Sequence, residues 1–194
     1  MHIVFYGPEG SGKGTQAKLL AEKLHLPLIT FGDLVRSAAQ NDKGLIGQAS
    51  RFALKEGKYL PDSEAFVLWK RRLKEDDAKK GWIIDGFPRS IGQAEFLLKK
   101  IKKYGYPLDL FIYLFITDEE ALKRLKKRKR KLFSGSKIIH DDPKRVKERL
   151  KVYRSKEKPI LDYFKKLGVF RKIDGQRSIK DIHQEILEKV RNSY

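Results

Sequence analysis

The segment from Gly7 to Thr15 has the residue types of a loop that binds phosphate groups: Gly-Pro-Glu-Gly-Ser-Gly-Lys-Gly-Thr. Its glycines let backbone N–H groups approach phosphate oxygens without a Cβ atom in the way. Lys13 supplies a positive charge for the outer phosphates, and the start of the following helix adds the positive end of its dipole. The loop follows an apolar run and precedes a helical pattern, which is the context that a P-loop requires. The segment therefore predicts a nucleotide site, without specifying a reaction.

A second segment suits the same chemistry, namely Asp85-Gly86-Phe87-Pro88-Arg89. The Asp85 carboxylate ends an apolar run and could hold Mg²⁺ through water, because Mg²⁺ keeps much of its hydration shell. Gly86 permits close approach of the backbone, and Arg89 presents a planar fork of donors. The two segments together predict a site for phosphates that are accompanied by Mg²⁺.

Five short apolar runs predict the buried strands that must position these segments. Each is rich in β-branched or aromatic residues with little polar alternation, as in strands covered on both faces. Helical patterns separate them, which is typical of α/β proteins. The predicted strands are 3–6, 28–31, 82–85, 110–116 and 169–173, and the predicted helices are 13–24, 63–79, 90–104, 118–131, 143–167 and 178–191. We expect a doubly wound, five-stranded parallel sheet with helices on both faces, and Asp118 and Ser178 as helix N-caps.

Two connections are too long for simple crossovers between strands. Residues 30–60 predict short helices, and residues 127–142 contain the turn signal Phe-Ser-Gly-Ser within a charged region. We interpret both as insertions at the carboxyl edge of the sheet, where open α/β sheets bind ligands. The 194 residues then form one domain, with a core of 1–29, 61–126 and 143–194.

Composition excludes several classes of protein. With no cysteine, the chain has no disulfide, no thiolate zinc site and no cysteine nucleophile. Its apolar runs fall short of the roughly 20 residues that span a bilayer, and its start is too short for a signal-peptide core. We expect a cytoplasmic protein without a membrane segment.

Positive charge predominates, with 44 basic and 25 acidic residues and a net charge of +19. This excess favours polyanionic partners such as phosphorylated small molecules or nucleic acid, although a solvated lysine-rich surface explains it as well. The basic run 123–131 is a candidate nucleic-acid patch or a hinge rich in phosphate-binding cations, and its position favours the second interpretation.

Three motifs together resemble the adenylate kinase family over essentially the whole chain: the loop 7–15, Gly32-Asp33-x-x-Arg36, and Asp85-Gly-Phe-Pro-Arg89-x-x-x-Gln93. The resemblance implies phosphoryl transfer from ATP to AMP, giving two ADP, with Mg²⁺ as cofactor and a monomeric enzyme. It also implies that 30–60 is the AMP-binding insertion and that 127–142 is a short mobile lid.

The resemblance assigns residues to each nucleotide. For ATP these are Gly10, Ser11, Gly12, Lys13, Gly14, Thr15, Arg124, Arg128 and Arg177. For AMP they are Phe31, Arg36, Lys58, Tyr59, Leu60, Gly86, Phe87, Pro88, Arg89, Gln93 and Arg149, with 58–60 acting through the backbone and Gln93 on the adenine edge. The catalytic set is Lys13, Asp85, Arg89, Arg128 and Arg149. The cations Lys13, Arg36, Arg89, Arg128 and Arg149 suit phosphoryl transfer, which depends on positioning and charge neutralisation and needs no general base when the acceptor is already an anion.

Three features depart from the family pattern. Phe31 replaces a hydroxyl residue that commonly meets adenine, and its ring could stack on a base instead. The lid has one histidine, His140, and no cysteine, so we expect no structural zinc. An arginine usual before the Asp141-Asp142 pair is missing, and Lys137 is the candidate substitute, although it lacks the bidentate fork.

Two other functions remain open from the sequence. A UMP/CMP kinase would also lack the residue that Phe31 replaces, but such enzymes often have asparagine where this chain has Ser90, which favours AMP. A nucleotide-binding module that binds RNA would explain the charge, but no recognised RNA-binding motif accompanies it. We therefore expect no nucleic-acid partner.

Overall fold

Strands and helices alternate along the chain, as the apolar runs predict. The computed structural model describes residues 1–128 and 141–193. The strands are β1 His2–Tyr6, β2 Leu28–Thr30, β3 Trp82–Asp85, β4 Leu110–Phe115 and β5 Phe170–Asp174. The α-helices are α1 Lys13–Leu24, α2 Phe31–Asn41, α3 Leu45–Glu56, α4 Asp62–Arg72, α5 Ile91–Lys103, α6 Asp118–Arg128, α7 Pro143–Lys166 and α8 Ile179–Arg191, and a 3-10 helix, Asp76–Lys80, precedes β3.

All five strands belong to one parallel sheet with the order β2-β3-β1-β4-β5. The central strand β1 therefore has β3 on one side and β4 on the other, and the chain changes direction across the sheet at this point. Ligands of open α/β sheets bind at such a switch point, beyond the carboxyl ends of the strands. Both the loop that follows β1 and the segment that follows β3 begin there.

The sheet is buried on both faces, which explains why its strands are apolar throughout. Ile3 and Phe5 of β1 pack in the cluster that contains residues of α1 and α8. Val4 and Tyr6 point the other way, into the cluster formed with α4, α5 and α7. Successive side chains of a strand face opposite sides of a sheet, so this division follows from the pleat. The predicted doubly wound fold is confirmed.

Several predicted boundaries differ from the observed ones by a residue or more, and side-chain hydrogen bonds explain three of these differences. Phe31 is the first residue of α2 and not the end of β2, because the Thr30 side chain caps that helix by accepting a hydrogen bond from the Asp33 N–H. The predicted helix 63–79 ends at Arg72, where a turn begins that Arg72 closes through two hydrogen bonds to Asp77. Asp118 is not the N-cap of α6 but its first residue. The Thr117 hydroxyl accepts the hydrogen bond from the Glu120 N–H, as an N-cap does.

The predicted cap at Ser178 is confirmed, since its hydroxyl accepts a hydrogen bond from the Asp181 N–H. Several predictions concern the segment 129–140, namely most of the lid 127–142, the end of the helix 118–131, Lys137 and His140. These lie outside the described residues. Of the helices that the structure describes, none combines the length and apolar character needed to cross a membrane.

Candidate active site

A cleft of about 690 Å³ opens at the carboxyl edge of the sheet. Its walls come from the loop after β1, from α2 and the segment after α3, from the end of β3, and from α6, α7 and the start of α8. Most of the site residues that the sequence predicts line it: Gly10, Ser11, Gly12, Lys13, Gly14, Thr15, Phe31, Arg36, Lys58, Tyr59, Leu60, Asp85, Gly86, Arg89, Arg124, Arg128, Arg149 and Arg177. Residues far apart in the sequence therefore meet in one crevice.

The loop between β1 and α1 has a backbone that its glycines make possible. Gly10 and Gly12 adopt φ angles of 85° and 89°, which disfavour residues with a Cβ atom. At Gly7 a Cβ atom would lie 2.6 Å from the Leu114 carbonyl oxygen. Gly12 is the N-cap of the 12-residue helix α1, so the loop ends where unpaired N–H groups begin. This arrangement can bind an anion.

Lys13 folds back over this loop, and its Nζ donates a hydrogen bond of 3.0 Å to the Pro8 carbonyl oxygen. Burial lowers the pKa of the Lys13 ammonium below its ordinary value, while the nearby carboxylates of Asp85 and Glu9 oppose that change. The ammonium is therefore partly desolvated, and a phosphate beside it would interact more strongly than in bulk water.

Asp85 lies at the end of β3, paired in register with Phe5 on one side and Thr30 on the other. Its Oδ1 atom is buried and has no hydrogen-bond partner within residues 1–128 and 141–193. A Cβ atom on Gly14 would lie 3.3 Å from Asp85 Oδ2, so the loop backbone approaches this carboxylate closely. A buried carboxylate oxygen without a partner, beside a phosphate loop, fits the requirements of a hydrated Mg²⁺ ion. Nowhere in the described chain, Asp85 included, do three or more His, Cys, Asp or Glu side chains form a group that could hold a metal ion.

Five of the six predicted site arginines are paired with carboxylates. Arg149 contacts Glu9 through Nε and Nη2, at 3.0 and 2.9 Å, and Arg128 contacts Asp141 through Nε and Nη2, both at 2.8 Å. The other pairs are Arg36 with Asp33 at 2.6 Å, Arg124 with Glu120 at 2.7 Å, and Arg177 with Glu185. The positive charge of these five arginines is thus largely balanced within the protein.

Arg89 differs from the other five. Its guanidinium carbon lies 4.3 Å from the centre of the Tyr59 ring and 5.5 Å from that of Phe31. Its Nε donates a hydrogen bond of 2.7 Å to the Gly86 carbonyl oxygen. Over the described part of the chain, no carboxylate lies within ion-pair distance of it.

Three predicted residues do not line the main cleft. Phe87 is buried, Pro88 lines a smaller neighbouring cavity of about 70 Å³, and Gln93 is buried behind Arg89. The Gln93 side chain accepts a hydrogen bond from the Arg89 N–H at 2.7 Å and donates one to Asp62 at 2.6 Å. In this structure its amide therefore supports the backbone of Arg89.

The Phe31 ring is only 2% exposed, because it packs against Trp69 and Phe87. Its centroid lies 6.1 Å from that of Trp69, in a stacked arrangement, and 5.7 Å from that of Phe87. The ring therefore contributes mainly to the core beneath Arg89.

Sequence reasoning missed the carboxylates that pair with or support the site residues, Glu9 and Asp62 among them. Glu9 stands within the phosphate loop itself, and a carboxylate in an anion-binding loop is a signal that it has a cationic partner. Asp62, which holds Gln93, carries no comparable signal, because their contact spans 31 positions and depends on the fold.

Comparison with known proteins agrees with this geometry. A protein-family model described as Adenylate kinase matches residues 5–169. The chain belongs to the adenylate kinase family. Similar adenylate kinases include those of Thermodesulfovibrio yellowstonii, which is 36% identical with 96% of this chain and 97% of the relative covered, and Archaeoglobus fulgidus, which is 33% identical with 99% and 100% covered. The adenylate kinase of Thermobifida fusca is 34% identical, with 99% of each chain covered.

The predicted resemblance is confirmed, and with it the prediction of a nucleoside monophosphate kinase, which is a phosphotransferase. Nothing in these comparisons favours the alternative of a UMP/CMP kinase.

Proposed function

We propose that this member of the adenylate kinase family transfers the terminal phosphoryl group of ATP to AMP, giving two ADP, with Mg²⁺. The observation that carries the proposal is the meeting of Lys13, Asp85, Arg89 and Arg149 in one cleft at the switch point of the sheet. The cations in this cleft come from the loop after β1, the segment after β3 and α7. A nucleoside triphosphate and a nucleoside monophosphate whose phosphates meet end to end would need them, because the phosphate charges repel at close range.

The donor nucleotide belongs in the half of the cleft around the phosphate loop. The N–H groups of residues 10–15 and the Lys13 ammonium would hold its phosphates. Arg124 and Arg177 lie on this side, on α6 and before α8, and would flank its base. Arg128, at the end of α6, would reach its phosphates from beside the lid.

The acceptor belongs in the half formed by α2, the segment after α3, and the end of β3. Arg36 and Arg89 would hold its phosphate, and Arg149 would contact the group in transit. Lys58, Tyr59 and Leu60 would line its base and ribose through the backbone. Gln93 would reach the adenine edge once its amide turns from its bonds to Arg89 and Asp62. The rest of the predicted set is Phe31, Gly86, Phe87 and Pro88.

The buried carboxylate of Asp85 would hold Mg²⁺ through water. When bound, the metal supplies positive charge that offsets the charge on the transferring phosphate. The protein itself contributes an aligned pair of substrates, cations around the developing charge and exclusion of water that would otherwise hydrolyse ATP. No general base is required, since the attacking oxygen of AMP is already anionic.

The division of the chain belongs to the same proposal. Residues 30–60, which contain α2 and α3, would form the AMP-binding insertion, and 127–142 would form the lid. The proposal also includes that the protein is a monomer without structural zinc, and that it acts in the cytoplasm without a nucleic-acid partner. Light scattering checks the oligomeric state, and filter binding to RNA over a salt series checks whether the protein binds nucleic acid.

An acceptor panel tests the function. The purified chain is assayed with Mg-ATP and with AMP, UMP, CMP or GMP as acceptor, by detection of the diphosphates formed. We expect turnover with AMP to exceed that with the other three. Equal or better turnover with UMP would overturn the choice of base, and failure to bind a bisubstrate mimic that joins two adenosines would contradict the two-nucleotide cleft.

A further inference from the structure

We propose that the Tyr59 side chain positions Arg89 for the acceptor phosphate by stacking on its guanidinium. The inference rests on the proposed function and extends it. The segment 58–60 is expected to act through its backbone, whereas here a side chain acts on the phosphate-binding arginine. The observation behind it is the contrast between Arg89 and the other site arginines.

Each of the other five predicted arginines has a carboxylate on its donor edge. A phosphate that binds one of them must displace or share that carboxylate. For Arg89 the partners are different: its Nε donates a hydrogen bond to the Gly86 carbonyl oxygen, and two aromatic rings lie against its guanidinium. Within the described residues neither terminal nitrogen of Arg89 donates a hydrogen bond.

Stacking has a different consequence from pairing with a carboxylate. An aromatic ring attracts the guanidinium to its face through the quadrupole of the ring, and leaves the in-plane N–H groups available. A fork that is held flat with its donor edge unused is preorganised for bidentate binding of a phosphate. Arg89 is therefore the site arginine that can bind a phosphate without first giving up an internal anion.

The contributions of the two rings can be separated. Phe31 lies farther from the guanidinium carbon, at 5.5 Å, and is held in the core by Trp69 and Phe87. Tyr59 lies at 4.3 Å, comes from the segment between α3 and α4, and is 43% exposed. Because Tyr59 contributes little to the core, its replacement changes the stacking on Arg89 without removing a buried side chain. Tyr59 acts through Arg89 and is a positioning residue.

The test compares Tyr59→Leu with Tyr59→Phe. We expect Tyr59→Leu to raise the KM and the Kd for AMP about fivefold, the effect of losing one cation–π contact, with kcat and the KM for ATP nearly unchanged. Tyr59→Phe keeps the aromatic ring and should therefore keep the wild-type KM and Kd for AMP. A matched control is Phe52→Leu, which removes a 61% exposed ring of the same insertion. It should leave both KM values unchanged.

A double-mutant cycle shows whether the effect passes through Arg89. In an Arg89→Ala background, Tyr59→Leu should not weaken AMP binding further, as measured by calorimetry. An equal loss of AMP affinity in the wild-type and Arg89→Ala backgrounds would overturn the inference. So would a wild-type KM for AMP in Tyr59→Leu, or weakened AMP binding in Tyr59→Phe. Thermal melting checks that each variant is folded. If Tyr59→Leu is not folded, Tyr59→Met takes its place.

The two proposals fail in different ways. If the wild-type chain neither binds nor phosphorylates AMP, the proposed function is wrong whatever Tyr59 does. If the wild-type chain is active and Tyr59→Leu matches it, only the role of Tyr59 is wrong.

Discussion

Internal carboxylates balance most of the arginines that line the cleft. Glu9 is notable because it lies within the phosphate loop and pairs with Arg149 across 140 positions of sequence. The pair is largely buried, with side chains 27% and 14% exposed, so solvent screens it less than a surface ion pair. Under the proposed function, substrate phosphates that enter this part of the cleft would therefore compete with Glu9 for the Arg149 guanidinium.

This competition predicts that Glu9→Gln tightens nucleotide binding. The amide keeps the size of the side chain and removes the charge that competes with phosphate, so the Kd of a bisubstrate mimic should fall about threefold to tenfold. Calorimetry measures the change. Glu22→Gln is the control, since the ion pair that Glu22 forms within the described residues is with exposed Lys18, at 3.9 Å on the surface of α1. Weaker binding in Glu9→Gln would show instead that the carboxylate orients Arg149 productively.

In the proposed function, Lys13 is the residue on which donor binding and phosphoryl transfer would depend most. Lys13→Ala removes a partly desolvated charge beside the developing negative charge, and should lower kcat about 10²-fold to 10³-fold while leaving the fold intact. Lys18→Ala, one turn farther along α1 and exposed, provides a control for general effects of charge. Initial rates and circular dichroism measure the two properties. Turnover close to that of the wild type in Lys13→Ala would contradict the proposed site.

At the level of elements, the start of α5 links stability to the acceptor site. The Ser90 hydroxyl caps this helix by accepting a hydrogen bond of 3.2 Å from the Gln93 N–H, and the Gln93 side chain holds the Arg89 backbone. Two hydrogen bonds through Gln93 therefore connect the cap to the backbone of Arg89, the arginine that is proposed to bind the acceptor phosphate.

Two cap substitutions separate these effects. Ser90→Ala and Ser178→Ala each remove an N-cap hydrogen bond of 3.2 Å, and each should lower the free energy of unfolding by about 1 kcal/mol. Only Ser90→Ala should also raise the KM for AMP, by about twofold to fivefold, because it loosens Gln93 and Arg89. Urea denaturation and steady-state rates measure the two quantities. An equal change of KM in both variants would indicate a general effect of lost stability.

The elements themselves were largely predictable from the sequence, because buried parallel strands are continuously apolar and helices are periodic. The strand 82–85 and the helix 13–24 have the predicted bounds. The break after Arg72 was not predictable by periodicity, since a side-chain bond to Asp77 closes that turn. Likewise the cations of the site follow from motifs, whereas their partners depend on the fold. Short-range pairs such as Glu120 with Arg124 could have been inferred from their spacing, but the pairing of Glu9 with Arg149 could not.

At the level of the whole molecule, the net charge of +19 would act on the proposed substrates before they reach the cleft. Nucleotides carry several negative charges, and the field of a strongly basic protein raises their rate of encounter. At about 10 mM salt the Debye length is about 30 Å, so lysines outside the cleft contribute to this field. Under the proposed function, the high charge would thus serve the capture of phosphorylated substrates, which by itself requires no nucleic-acid partner.

The association rate of ATP should therefore fall about tenfold or more between low and physiological salt. Stopped-flow measurement with a fluorescent ATP analogue gives this rate separately from the dissociation rate. A variant in which Lys99, Lys102 and Lys103 are changed to glutamine loses three exposed charges on α5. All residues that line the cleft stay unchanged in this variant. It should associate more slowly than the wild type at low salt, and at the same rate at high salt, where the field is screened. A salt effect confined to dissociation would instead assign the charge to contacts inside the cleft.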